Sequence, residues 1–423
     1  MRARAAQEVR TTFRALKNRN FRLFFSGQLI SQSGTWLTMI ALTLLILHRT
    51  HSGVAIGLLV ASQFGPILLI GAWGGLVADR SDKRKLLVIT QTLEMLKSFA
   101  LAALAFMGHP PLFAFYLTAL AGGFMLAFDN PARRSLVAEM VPEVDVQNAV
   151  TLNSAVMTSS RVVGPAVAGL LVVTVGYGWC FFLDGASYLA VIASLSLMRR
   201  SELHQPPAVQ RAKGQLRAAL SYIRNAPDLW IPIVMMTVVG TLTFNFTVVL
   251  PLFVEHTLHG SDGSFTLLYS VLSAGSVIGA LSAARMRVID TRHVVYASLA
   301  FGVAMFGLAA APTLLAAFPV AVFVGLTSVA FVTASTAIVQ VRADPMMRGR
   351  VLALQGMVLI GSTPLGGPLL GFICDQWGAR SGIMLGAAAA VGAGLWGLAA
   401  NRRREDAESP RLARPDELRV VAR

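Results

Sequence analysis

Charged side chains are scarce in this 423-residue chain, at 13% of positions, about half the usual share in a water-soluble domain. Too few exist to coat a globular surface of this size, which excludes an ordinary soluble enzyme or binding domain. Acids are scarcer than bases: 21 Asp and Glu face 36 Lys and Arg, for a formal net charge of +15. The two cysteines, Cys180 and Cys374, exclude a disulfide framework and read as buried, inert thiols near the outer ends of their helices. A nucleotide-binding P-loop, a zinc-hydrolase motif and a Gly-flanked nucleophile elbow are all absent, which argues against an enzyme. A cleavable signal peptide is not expected either. The stretch from Met1 to Arg19 is basic for too long, and no small-residue cleavage site follows a short apolar core.

What fills the chain instead is apolar: 55% of residues are hydrophobic and the mean hydropathy is +0.63. Runs of the roughly 20 residues needed to cross a bilayer are read at 22–48, 53–78, 86–107, 111–130, 147–175, 178–198, 229–253, 264–284, 293–311, 313–341, 350–374 and 381–400. The runs are continuously apolar, whereas a transmembrane barrel would alternate over segments of about 10 residues. The expected fold class is an all-α integral membrane protein with about twelve transmembrane helices.

A net positive charge also fits nucleic-acid binding, so the placement of the cations has to decide. Of the 36 Lys and Arg, 32 fall on one side under this reading: in the N-terminal segment, alternate loops and the C-terminal tail. Arg133 and Arg134 are counted there. Arg49 and Arg380 alone lie on the other side, with Lys97 and Arg161 inside the membrane. This asymmetry follows the positive-inside rule and predicts cytoplasmic termini in a multi-pass protein of the cell inner membrane. The basic runs then read as solvated loops near lipid headgroups, with no nucleic-acid partner.

The longest polar interruption divides the chain. Residues 1–19 form a basic cytoplasmic segment, 20–198 one six-helix half, 199–228 a linker, 229–400 a second half and 401–423 a disordered tail. Within the linker, Gln215 to Arg224 has apolar residues at helical spacing and is read as a surface amphipathic helix. The halves are weakly alike at a shift of 202: Val150 to Asn153 and Gly164 to Gly169 correspond to Leu352 to Gln355 and Gly366 to Gly371. A duplicated six-helix unit follows.

Between the second and third runs stands Gly75-Leu76-Val77-Ala78-Asp79-Arg80-Ser81-Asp82-Lys83-Arg84-Lys85. It resembles the loop motif of the major facilitator superfamily, with Gly75, Asp79, Arg80, Lys83 and Arg84 at matching positions and Asp82 replacing the second Gly. The resemblance covers nearly the whole chain, from Leu16–Arg22 to Arg348-Gly349-Arg350. The run Phe128-Asp129-Asn130-Pro131-Ala132-Arg133-Arg134, with Val141-Pro142, Asn148-Ala149 and Arg161-Val162-Val163-Gly164-Pro165, is similar to the branch of enterobactin-type siderophore and macrolide exporters, the transmembrane secretion effectors. The resemblance implies two pseudo-symmetric six-helix bundles around a central substrate site. It also implies that Asp79, facing a helix start near Arg348, and Arg80, paired with Asp129, hold the bundles together on the cytoplasmic face when the cavity opens outward. Helix 5 matches the antiporter motif in part, and the superfamily's helix-4 Arg motif is absent.

Glycines and prolines mark where helices pack closely or bend: Gly164, Pro165 and Gly169, then Gly361, Pro364, Gly366, Gly367, Pro368 and Gly371. A static kink remains the alternative. Ionisable groups inside the bilayer cost roughly 2.5–3.5 kcal/mol each on insertion scales, so each needs a partner or a task. Glu94 and Lys97 are three apart and neutralise each other; Glu94 is also a candidate proton carrier, as is Asp184, which is read as a gate or a packing group. Arg161 is expected to pair with a carboxylate or carbonyl. Polar residues at helical spacing suggest the cavity: Gln28, Gln32 and Thr35 in the first half, Thr237, Thr241 and Asn245 in the second. Phe124, Phe128, Met157, Phe244 and Phe331 are candidates for its apolar wall. The outer loop Glu255-His256-Thr257-Leu258-His259 lacks a third ligand, so no metal site is expected.

Together these residues predict a proton-coupled exporter of a small amphipathic molecule, a drug or a siderophore. It would work as a monomer in the lipid bilayer, with a small-molecule substrate and no cofactor beyond the proton gradient. A lipid or lysolipid flippase of the same fold and a transport-inactive membrane sensor or scaffold are the competing readings.

Overall fold

A backbone in lipid has no water to bond, so apolar runs of this length must satisfy their own N–H and C=O groups as helices. The computed structural model describes residues 12–108, 110–204, 215–283 and 290–412, and no strand occurs among them. Six long helices make the first half: α1 (Arg19–Thr50), α2 (Gly53–Arg80), α3 (Lys83–Phe106), α4 (Leu112–Glu139), α5 (Glu143–Val175) and α6 (Tyr177–Ser196). The linker helix α7 (Gln215–Arg224) leads to the second half. That half holds α8 (Pro227–Leu242) and α9 (Phe246–Leu252), then α10 (Asp262–Ala283), α11 (Thr291–Ala310) and α12 (Leu314–Arg342). It closes with α13 (Pro345–Gly361), α14 (Thr363–Trp377) and α15 (Ala379–Leu412). Among the described residues, twelve segments are long and apolar enough to span a membrane, with α8–α9 and α13–α14 each forming one broken span.

Large apolar side chains face outward in numbers no water-soluble surface would carry. Leu69 and Leu315 are each 81% exposed, and Leu170, Val173, Leu281 and Val303 are also exposed. In a multi-pass membrane protein this surface meets lipid tails.

Short caps end the helices. Ser52 accepts the Ala55 N–H at the start of α2 at 3.4 Å, Asp82 the Lys85 N–H of α3 at 3.1 Å, and Asp344 the Met346 N–H of α13 at 2.8 Å. Gly176 and Gly378 are the single-residue turns between α5 and α6 and between α14 and α15, with φ of 83° and 85°. A side chain at either turn would be strained, and the two glycines are 202 residues apart, the same shift that aligns the halves.

Packing repeats with the sequence. In the first half α2 packs on α4, α3 on α6 and α1 on α6; in the second, α10 packs on α12, α11 on α15 and α8 on α15. The halves meet where α2 lies against α14 and, by the same symmetry, α5 against α10.

Four expectations need correction. Helix α4 runs on to Glu139 rather than ending at 130. Residues 401–412, expected to be disordered, continue α15, while 413–423 lie outside the described residues. The seventh span breaks at Thr243–Asn245, where the Asn245 amide donates to the Thr241 carbonyl at 2.7 Å and so satisfies a group the break frees. Helix α7 does not lie on a membrane surface by its apolar face. That face, with Ala219 and Ile223 fully buried, packs on α8 and α13, and the Tyr222 hydroxyl accepts the Asp344 N–H at 3.0 Å.

Candidate functional site

The loop between α2 and α3 lies on the face that also carries the turns at 140–142 and 343–344, here termed the terminal face. Its cations fasten the first half to itself. Lys83 Nζ is 2.7 Å from Glu139 at the end of α4, and Arg84 donates to the last carbonyls of α6, Leu195 at 2.5 Å and Ser196 at 2.6 Å. Orphan carbonyls and the negative end of the helix dipole explain that choice. Asp82 caps α3 and lies 3.6 Å from Arg200. Asp79 and Arg80 are exposed. Asp129, expected beside Arg80, is instead buried in α4 and accepts from Thr90 at 3.0 Å, from Gln91 at 2.8 Å and from Arg133. The reason is the length of α4: ten residues separate Asp129 from the helix end at roughly 1.5 Å each, which lifts the carboxylate into the bundle. The close helix approach is made by Gly74 against the Ala127 carbonyl, one residue before Gly75.

Between the halves lies a cavity of about 460 Å³, within the range that holds small molecules. Its polar wall is a set of local pairs. Lys97 Nζ sits 2.5 Å from Glu94 Oε2, with both side chains nearly buried. Asp184 accepts hydroxyl hydrogens from Thr38 at 2.7 Å and Ser98 at 2.8 Å. Arg133 pairs with Asp129 and also donates to Gln28, whose side-chain oxygen accepts from Gln32 at 2.9 Å. Arg161 meets no described carboxylate or carbonyl; its guanidinium lies over the Trp36 ring, 5.4 Å from the centroid. The expected acid partner is missing because this stretch of α5 turns Arg161 into the cavity rather than against a helix.

Of the cavity residues read from spacing, Gln32, Thr35, Met157 and Phe244 line it. Gln28 stands one bond behind. Phe124 is exposed outside it, Phe128 packs edge-on against Trp73, and Phe331 is fully buried in the core. Thr241 and Asn245 abut Gly366 of α14, and Thr237 bonds its own helix, because the break after Leu242 swings the cavity wall to Phe244, Phe246 and Thr247. Sequence reasoning missed Trp36, Gln63, Gln91, Arg133, Tyr188 and Tyr269. Arg133 carried a readable signal: with Asp129 it makes an i,i+4 acid–base pair on a helix that needs only to continue.

At the face opposite the termini the halves are sealed. Gly53 and Gly57 of α2 meet Gly371 and Gly367 of α14, and a Cβ on Gly57 would lie 2.5 Å from the Gly367 carbonyl oxygen. Asp375 of α14 caps α2 across the seam, accepting from Ser52 Oγ at 2.7 Å and from the Gly53 and Val54 amides at 2.5 and 3.0 Å. Gly169 of α5 packs on Thr266 of α10, and Gly164 on Trp36. Gly366, Pro368 and Gly371 thus serve packing, with Gly361 against Leu68 nearer mid-membrane. His48 lies 3.2 Å from Asp262 and 3.9 Å from Glu255 across the same seam. The outer loop also gains the third group it lacked in sequence. His51, from the turn before α2, brings a ligand atom within 4.8 Å of those of Glu255 and His256. Cys180 and Cys374 are buried free thiols.

The match to known proteins is of the same extent as the fold. The family of transmembrane secretion effectors matches residues 10–419. The chain belongs to that family. Similar proteins include the staphyloferrin A transporter of Staphylococcus aureus, 24% identical over 84% of this chain and 89% of its own. The enterobactin exporter EntS of Shigella flexneri is 25% identical over 63% of each chain. Among solved structures, a bacterial homolog of the human lysosomal transporter Spinster, inward-facing and occupied, superposes with a TM-score of 0.71 at 16% identity, over 92% of this chain and 97% of its own. The nucleoside transporter NupG does so at 0.69 and 16%, over 91% and 98%. This secretion effector is therefore a major facilitator transporter of twelve spans and not an enzyme.

Proposed function

We propose that this protein is a proton-coupled exporter of the inner membrane that moves a small amphipathic compound, of the siderophore or drug class, out of the cytoplasm by alternating access. The observation that carries the reading is the central cavity, which holds three carboxylates at membrane depth beside a seam of closely packed glycines at the face opposite the termini. The charge asymmetry predicts cytoplasmic termini, and on that orientation we read the present conformer as inward-facing and ready to load. Glu94 and Asp184 are the proton-carrying candidates, and siderophore cargo is favoured by the two relatives named for it. One proton moved through 100 mV supplies about 2.3 kcal/mol. At about 1.4 kcal/mol per tenfold, that sustains roughly a fifty-fold gradient of a neutral substrate.

The test is a gene deletion scored in parallel for antibiotic susceptibility and siderophore secretion, with flux measured in proteoliposomes. Loss of one export phenotype and ionophore-sensitive flux are expected. No phenotype and no flux would favour a scaffold, and lipid translocation in the same vesicles would favour a flippase.

A further inference from the structure

Among the described cations of the cavity, two are paired with acids and one is not. Lys97 has Glu94, Arg133 has Asp129, and Asp184 has the hydroxyls of Thr38 and Ser98. Arg161 has, among the described residues, an aromatic face and no acid. A guanidinium carries five N–H donors in a planar fork, and Arg161 is exposed on the cavity wall, where those donors can be reached. A protein that neutralises two of its three cavity cations internally and leaves the third open is built to have that charge met from outside.

The surroundings say what would meet it. Trp36 lies under the guanidinium, and the Tyr269 ring stands 6.0 Å from that of Trp36 on the same cavity wall. Trp36 is held in place by Gly164, where any side chain would collide with it. Met157, Leu272 and Phe244 line the same cavity. Resting on the exporter reading above, we infer that Arg161 is the anchor for an anionic group, and that the substrate is a compact aromatic or apolar molecule carrying a carboxylate or similar acid. The acid takes the fork of Arg161 in two parallel hydrogen bonds, and the ring stacks beside Trp36. An organic cation would face Arg161, while Glu94 and Asp129 are already paired with cations and the unpartnered oxygen of Asp184 is buried.

The experiment uses the full-length protein in nanodiscs and three probes that share one ring: 1-naphthoate, 1-naphthamide and 1-naphthylmethylammonium. Calorimetric titration, with empty nanodiscs as blank, should show naphthoate binding at least tenfold more tightly than the amide and the ammonium weakest. Arg161→Gln should erase the difference between acid and amide, and Arg161→Lys should keep part of it. Equal affinities in the unaltered protein, tighter binding of the cation, or an acid preference that survives in a folded Arg161→Gln variant would each overturn the inference. The comparison among the three probes needs no variant, so a misfolded substitution does not blunt it. Binding is read separately from flux. An acid preference without proton-driven transport removes the exporter reading and leaves Arg161 as an anion site, whereas transport without an acid preference does the reverse.

Discussion

Lys97 is the side chain on which a simple reading of the proton carrier founders. It pairs with Glu94 at 2.5 Å inside the membrane, so Glu94→Gln does more than remove a protonatable group. It strands a buried ammonium, and breaking a buried pair by removing one partner costs about 3–5 kcal/mol. The single variant is expected to lose thermal stability, read as a fall in melting temperature in detergent, and its transport defect alone would prove nothing. Changing Glu94→Gln together with Lys97→Met removes both charges and should recover most of that stability. If Glu94 carries the proton, the stable double variant still loses ΔpH-driven accumulation. Retained accumulation in the double variant would transfer the role to Asp184, where Asp184→Asn keeps an acceptor for Thr38 and Ser98 but no titratable proton.

Helices α2 and α14 show at the next scale how a seam can close without being glued. Gly53 and Gly57 on one helix and Gly367 and Gly371 on the other are each four apart, the spacing that lets two backbones touch in a membrane. Asp375 adds a carboxylate at the positive N-terminal end of α2, bound to two of its free amides. Gly57→Val should prevent the seam from closing, and Asp375→Asn should weaken it. Loss of one or two charge-assisted bonds, at about 1.5–3 kcal/mol each, shifts the closed population by roughly tenfold or more. A Gln63→Cys probe in a Cys-free background reads this: labelling from the face opposite the termini should rise in both variants, and unchanged labelling would deny the seam its gating role. Much of this scale was legible in sequence. Apolar length placed twelve spans, and the small residues of α14 stood out. The rest was not, because Gly53 and Asp375 are 322 positions apart and nothing local pairs them. Helix α4 was cut short for a different reason: the apolar window stops at the charges of Asp129, Arg133 and Arg134, whereas the helix continues because Asp129 and Arg133 neutralise each other.

Duplication governs the whole molecule. Gly176 and Gly378 repeat one left-handed turn at a shift of 202, and the α2–α14 and α5–α10 seams are the same contact made twice. Such symmetry lets one half rock against the other about a fixed cavity, with a seal at one face exchanged for a seal at the other. Orientation rests on the cations. Arg133 leaves the loop tally for the cavity wall, yet the remaining imbalance still predicts cytoplasmic termini. Cys probes at His259 should therefore label from outside the cell, and those at Ser81 and at Gln210, which lies outside the described residues, should not; the reverse pattern would invert the topology. The two faces also predict opposite effects of two neutralised carboxylates. Asp375 binds across the seam that is closed here, while Asp79 belongs to the loop motif of the terminal face, where a seal would form in the alternate state. Asp79→Asn should then favour the present conformer and slow transport with insertion intact. It should lower the labelling of the Gln63→Cys probe from the opposite face, as Asp375→Asn raises it. Combining Asp79→Asn with Asp375→Asn should bring the labelling back toward the unaltered level, because each change weakens a different end of one two-state equilibrium. Labelling that moves in the same direction for both single variants would mean that the two carboxylates do not report on opposite states, and alternating access between these seams would fail with it.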